Sequence, residues 1–253
     1  MQEPNSKDLI FGIHPVLEAL GSGKEIERLY IQRGLKGGLV GEVIDAAKKI
    51  GIHPQTVPEA KLRKFTRKNH QGVVCILSPI EYHDVRDVVQ SEFETGNDPL
   101  ILILDRITDV RNFGSICRTA ECLGVSAVLI PERGSALISA DAVKASSGAL
   151  LRIRVCREPN LKNTIRFLKE SGLLIVSSTE KSDKHVYDAQ IHGPLGLILG
   201  SEEDGVSAEY LKLSDEKLQI PMFGSIASLN VAVATGIILS EINRQRSVHL
   251  RSA

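Results

Sequence analysis

The side chains best suited to chemistry lie in the second half of the chain. Asn112 and Arg118 share one amphipathic stretch, Glu202 stands between two glycines, and Ser228 and Asn230 lie just ahead of a long apolar segment. An arginine suits the holding of a phosphate or of an oxyanion that develops during a reaction. Gly200 admits a ligand close to the backbone and Gly205 allows a tight turn, so Glu202 is presented between two flexible points. Ser228 and Asn230 put donors and acceptors at the positive end of a helix. Each also has a plainer reading: a solvated charge for Arg118, an ordinary turn for Glu202, caps for Asn112 and for Ser228 and Asn230.

These residues depend on the elements that carry them. From Pro99 onward the apolar runs Leu100–Leu104, Ser126–Ile130, Leu173–Ser178 and Leu195–Gly200 alternate with helical patterns. That order predicts an α/β fold, a parallel sheet with helices on both faces. Ligands bind beyond the carboxyl ends of such strands, where Thr179 and Glu202 fall. Within Asp105–Gly124, Phe113, Ile116, Cys117, Ala120 and Leu123 form a helical stripe, with Ser115 and Arg118 on the other side and Asn112 placed as a cap. Ile220–Glu241 opens as a loop with Pro221 and Gly224, then becomes apolar on nearly every side. This predicts a helix buried all round.

Residues 1–80 read as a smaller α/β unit, with a helix in Phe11–Leu20 and a strand over Ile26–Gln32. Its run Lys61–Gly72 carries Lys61, Arg63, Lys64, Arg67 and Lys68 with Phe65, which offers cations for phosphates and a ring for stacking a base. A solvated basic face would look the same. Residues 81–97, acidic and ending in Gly96 and Asn97, read as a partly helical connection, and 98–253 as the second domain.

With 253 residues, 42% hydrophobic and 25% charged, the chain has a globular composition, and 31 basic residues balance 31 acidic ones. Net charge therefore points to no polyanion, although a local basic stripe remains compatible with one. The start, MQEPNSKDLI, lacks the layout of a signal peptide, and no apolar run approaches membrane length, so a cytoplasmic protein is expected. Four cysteines without a CxxC pair read as buried small side chains, and seven scattered histidines give no metal site.

The segments NFGSICR (Asn112–Arg118), GSEEDG (Gly200–Gly205) and IPMFGSIASLN (Ile220–Asn230) resemble the three ordered motifs of the SpoU/TrmH family of SPOUT RNA ribose 2′-O-methyltransferases. The front of the chain, FGIHPVLEAL through HQGVV, resembles the L30e-like substrate-binding domain of the subgroup that modifies a guanosine in bacterial 23S rRNA. The resemblance implies a SPOUT domain with a deep trefoil knot, S-adenosylmethionine as methyl donor, and a homodimer through the C-terminal domain and its last helix. It implies Asn112, Arg118, Glu202, Ser228 and Asn230 as active-site residues. Gly200, Ile220 and Leu229 would touch the donor, joined by Thr179, Met222 and Ser228, while Arg111 and the cations Lys61, Arg63, Lys64 and Arg67 would meet RNA. Glu203 replaces a glycine usual in the family, and Val110 a proline.

Methyl transfer to a ribose hydroxyl requires in-line attack and rewards positioning and the exclusion of water. The family reading gives Arg118 the part of general base. A guanidinium stays protonated, however, so stabilising the 2′-oxyanion while gripping a neighbouring phosphate is the more economical role. The competing expectations are a tRNA or another rRNA nucleotide as substrate, and a non-catalytic RNA-binding or ribosome-assembly factor. A nucleotide-binding dehydrogenase would need a glycine fingerprint that is missing.

Overall fold

The computed structural model describes residues 8–35, 37–226 and 228–252. Most of the segment in which a signal peptide was sought, residues 1–7, lies outside them. The chain divides into two compact units, one of residues 1–81 with 138–141, the other of 82–137 with 142–253.

In the first unit the elements run β1 (Leu9–Phe11), α1 (Ile13–Gly21), β2 (Ile26–Gln32), α2 (Gly38–Lys49), β3 (Gln55–Val57), α3 (Glu59–Phe65) and β4 (Val73–Leu77). The sheet order is β1-β4-β2-β3, with β4 antiparallel to β1 and β2, and β3 parallel to β2. Val16 and Leu20 of α1 and Val40, Val43 and Ala47 of α2 recur at helical spacing and pack on Leu29, Ile31, Val73 and Cys75. Tyr30 alternates with Leu29 and Ile31, and α3 sets Phe65 against it, the rings stacked 5.0 Å apart.

The second unit continues with β5 (Tyr82–His83), α4 (Val85–Glu94), β6 (Leu100–Leu104), α5 (Val110–Cys122), β7 (Ala127–Pro131), α6 (Ala140–Ala145), β8 (Val155–Glu158), α7 (Leu161–Glu170), β9 (Leu174–Ser178), β10 (Leu195–Leu199), α8 (Ala208–Leu211), β11 (Glu216–Leu218) and α9 (Val231–Ser252). Every recorded pairing in its seven-stranded sheet is parallel, in the order β11-β9-β10-β6-β7-β8-β5. Ile101 and Ile103 pack with residues of α4 and α7, while the alternate residues Leu100, Leu102 and Leu104 are equally buried. Burial on both faces explains why these strands read as unbroken apolar runs. Helices α5 and α9 pack on each other, close enough that a Cβ at Gly236 would sit 3.7 Å from Thr119.

Three expectations change. Residues 81–97 are not a free connection: β5 pairs with β8, and Val85, Val88 and Val89, one face of α4, are buried in the second unit's core. The start of α9 is not buried all round in the single chain, since Val233 is 51% exposed and Ser240 is also exposed. Cys122 is exposed, unlike Cys75, Cys117 and Cys156, whose thiols burial pushes up. Among the described residues no helix is long and apolar enough to cross a membrane, and no group of three or more His, Cys, Asp or Glu could hold a metal ion.

Candidate functional site

The carboxyl ends of four adjacent strands, β11, β9, β10 and β6, deliver the loops of one site. A cavity of about 800 Å³ opens there, within the range of small-molecule sites. Thr179 follows β9, Gly200 follows β10, and Ile220 and Met222 follow β11; together with Ser228 and Leu229 they line it. The structure thus brings together all six residues expected around the donor. A second cavity of about 380 Å³ adjoins it, lined by Arg106, Thr108, Asp109, Asn112 and Val231. Ser201, Glu202, Glu203 and Asp204 border both spaces.

At this border one side chain joins the three motifs. Asn230 Nδ2 donates to Asn112 Oδ1 at 3.0 Å and to Glu202 Oε1 at 2.8 Å. Its Oδ1 meanwhile accepts from the amide of Ala232 at 2.9 Å and so caps α9. The cap expected at Asn112 belongs instead to Asp109, whose carboxylate accepts from the amides of Arg111 and Asn112, both at 2.9 Å. Asp109 ends the extended segment before the helix, which leaves the Asn112 side chain to face Asn230.

Gly200 serves a purpose different from the one its type suggests. A Cβ there would lie 1.9 Å from the Gly205 carbonyl carbon and 2.1 Å from the Val206 nitrogen. The close approach is therefore the chain's own, as the turn folds back on the strand end. Gly205 has a φ of +68° and donates its amide to Ser201 O at 2.9 Å, as a tight turn requires.

Arg118 is not among the residues lining either cavity; its Nη1 donates to Ser147 Oγ at 3.1 Å. It lies six residues past Asn112, roughly 9 Å along the helix and about a third of a turn away in direction. Arg111 is exposed on the first turn of the same helix. In the first unit, Arg63 is paired with Glu59 at 2.7 Å and Lys61 lies over the Tyr30 ring. Lys64, Arg67 and Lys68 are exposed. Phe65, expected as a base-stacking ring, is already stacked on Tyr30.

Two residues at the border were missed by the sequence reading. Asp105, only 2% exposed, accepts from the Ser207 amide at 2.7 Å and from its hydroxyl. Arg106 links Asp105 to the Ser201–Gly205 turn, and its hydrogen bond with Asp105 is the chief cause that holds the guanidinium above its ordinary range. A carboxylate at a strand end was a visible signal for Asp105; the residue type of Arg106 gave none.

The larger cavity suits a cationic ligand: Glu180, Glu202, Glu203 and Asp204 line it against Lys181 and His185. Its apolar walls, Leu199, Ile220, Met222 and Leu229, suit the aliphatic and ring portions of such a molecule.

Residues 99–240 match the model of the SpoU rRNA Methylase family, and residues 9–83 match that of RNA 2′-O ribose methyltransferase substrate binding. A Staphylococcus haemolyticus protein described as a TrmH family tRNA/rRNA methyltransferase is 35% identical over 238 residues, 94% of this chain and 96% of that one. The SpoU methyltransferase AviRb from Streptomyces viridochromogenes, solved in complex with AdoMet, superposes with a TM-score of 0.60 at 25% identity, covering 95% of this chain and 90% of that chain. An AdoMet-bound rRNA methyltransferase from Sinorhizobium meliloti gives 0.59 at 27%, covering 93% and 86%.

Proposed function

Because the chain belongs to the SpoU/TrmH family, we propose that its substrate is large-subunit ribosomal RNA and that it methylates the ribose 2′-hydroxyl of a guanosine. The chain is an S-adenosylmethionine-dependent RNA 2′-O-methyltransferase. The observation that carries the site assignment is the Asn230 carboxamide, which ties Asn112 and Glu202 together at the border of the two cavities. An RNA substrate is supported by the substrate-binding match over residues 9–83 and by the exposed cations Lys64, Arg67 and Lys68 within it, and the choice of ribosomal RNA by the description of the family model over residues 99–240.

When bound, S-adenosylmethionine supplies an electrophilic methyl group on a sulfonium. Thr179, Gly200, Ile220, Met222, Ser228 and Leu229 hold it, and the acidic lining favours its positive charge. On the acceptor side Asn112 presents its amide nitrogen and Glu202 its second carboxylate oxygen to the ribose, both fixed in direction by Asn230. Most of the rate gain comes from this alignment. The Arg118 guanidinium stabilises the 2′-oxyanion and grips the adjoining phosphate, while the proton leaves to phosphate or water.

Within one chain Arg118 stands apart from the Asn112–Glu202–Asn230 group, and a second copy closes the gap. Helix α9 exposes Val233 beside Ala234 of the cavity wall, and α5, which carries Arg118, packs on α9. We place the homodimer interface on this exposed face, so that each protomer's Arg118 serves its partner's site. The family's trefoil knot belongs to the same reading.

The test is to incubate the protein with labelled donor and either 23S rRNA fragments or bulk tRNA, then map 2′-O-methyl positions. Label on one rRNA guanosine is the expected result. Label on tRNA alone would move the substrate. No transfer and no donor binding by calorimetry would leave an RNA-binding factor and refute the reading.

A further inference from the structure

The Ser201–Gly205 turn carries Glu202 but has acidic residues where flexibility would be expected, Glu203 and Asp204, and only Gly205 among its five has a positive φ. Such a turn needs restraint to keep one carboxylate aimed at Asn230. The restraint comes from outside it. Arg106 Nη1 donates to Asp204 Oδ2 at 2.8 Å, Nη2 donates to the Gly205 carbonyl at 3.1 Å, and Nε donates to Asp105 Oδ1 at 3.1 Å. Asp105 in turn holds the Ser207 amide, just beyond the turn, at 2.7 Å. One guanidinium therefore spans the end of β6 and the loop after β10.

The backbone of Arg106 strengthens the point. Its φ is +59°, a left-handed conformation that glycine adopts without strain and that a long side chain adopts at a cost. The offsetting gain is the planar fork, which reaches two groups of the turn and one buried carboxylate at once.

We propose that Arg106 is a positioning residue: it clamps the Ser201–Gly205 turn so that Glu202 stays joined to Asn230 and faces the acceptor cavity. This deepens the methyl-transfer reading and rests on it. Arg106 acts through Glu202 and touches no reacting atom. Thr179, Ile220, Ser228 and Leu229 lie outside the clamp, while Glu202, Glu203 and Asp204 of the turn also line the donor cavity, so donor affinity depends on the clamp less than the rate does.

The variants are Arg106→Gly, which removes the fork and the backbone strain together, and Arg106→Lys, which keeps a cation without the fork. Hydrogen exchange of the 200–207 segment, donor affinity by calorimetry and kcat are measured on each. Arg106→Gly should exchange about tenfold faster in that segment only, keep donor Kd within about threefold and lose about tenfold or more in kcat, with Arg106→Lys between. Added to Glu202→Gln, it should cost no further rate, because the two act in series. If Arg106→Gly melts globally, Asp204→Ala removes one of the two bonds to the turn, leaves Arg106 with Asp105, and should show the same pattern in smaller measure.

Unchanged exchange overturns the clamp, whether or not the chain transfers methyl groups. Faster exchange with unchanged kcat, additive losses with Glu202→Gln, or a donor-affinity loss as large as the rate loss each overturns the positioning role. A wild-type protein without methyl transfer refutes the proposed function instead, and the exchange result still decides the clamp.

Discussion

Asn230 does two things through two atoms, and Asn230→Asp separates them. Aspartate caps a helix as well as asparagine, so the bond from the Ala232 amide survives and α9 keeps its first turn. At the other atom, a donor 2.8 Å from Glu202 becomes an anionic oxygen. Two unit charges at that separation repel by about 1.5 kcal/mol in water and about 6 kcal/mol at an effective dielectric of 20. Both side chains are exposed, so the lower end governs, and they relieve the repulsion by swinging apart. That movement dismantles the group around Asn112. A loss of about 1.4 kcal/mol in transition-state stabilisation is tenfold in rate, so single-turnover methyl transfer should fall at least about tenfold. The melting temperature should stay within about 3 °C of wild type. Asn230→Ala loses the cap as well and should cost a further ~1 kcal/mol of stability. Full single-turnover activity in Asn230→Asp would refute the bridge. Rate losses that merely follow the loss of folded protein in both variants would reduce Asn230 to a cap.

If the partner's Arg118 completes each site, Arg118→Ala and Glu202→Gln proteins, each with only residual activity, should recover about a quarter of wild-type activity when reassorted, since half the dimers are mixed and each carries one intact site; no recovery would put both residues in one chain's site. Gly200→Ala should cost at least about 3 kcal/mol and abolish donor binding by calorimetry, because its Cβ would overlap the Gly205–Val206 backbone. Replacing Lys64, Arg67 and Lys68 by Ala should lower the slope of log K against log salt for RNA by about 2 to 3, while Arg63→Ala, already paired with Glu59, should change it less. The bond from Arg244 holds the Glu241 carboxyl below its ordinary range, so the stability it contributes is present above the unfolded carboxylate range and is lost as pH falls through the folded value; Glu241→Gln should flatten the acid limb of melting temperature against pH.

The strands Leu100–Leu104 and Leu195–Leu199 were legible because burial on both faces writes itself as an unbroken apolar run. The short strands Val155–Glu158 and Glu216–Leu218 were not, since half or more of each is charged or otherwise half-exposed. Over 81–97 the acidic composition outweighed the quieter signal of Val85, Val88 and Val89 on one helical face. Asn112 was placed at a cap because both Asp109 and Asn112 are cap-forming types, and only the backbone decides between residues three apart. Thr179 and Gly200 could be singled out by their places past strand ends, whereas Ile220, Met222 and Leu229 were expected only through motif resemblance and Ser228 otherwise read as a cap. Arg106 was invisible because the sign of φ is not written in an arginine.

Among these details one coupling sets the behaviour of the site. The residue that joins Asn112 to Glu202 is the same one that starts α9, so the group is in register only while α9 is docked. That docking is local and checkable: α9 lies against Thr119 of α5, and Asn243 donates to Leu123 O at 2.8 Å where α5 ends. On the other side, the turn bearing Glu202 is tied to the end of β6 by Asp105 and Arg106. The acceptor side is thus stretched between a helix and a strand end that are far apart in sequence, and neither can relax without moving a functional group. In the proposed reading, side chains held in this way from both ends would lose little entropy when a ribose arrives, and a site made of loops would so achieve the alignment that in-line transfer needs.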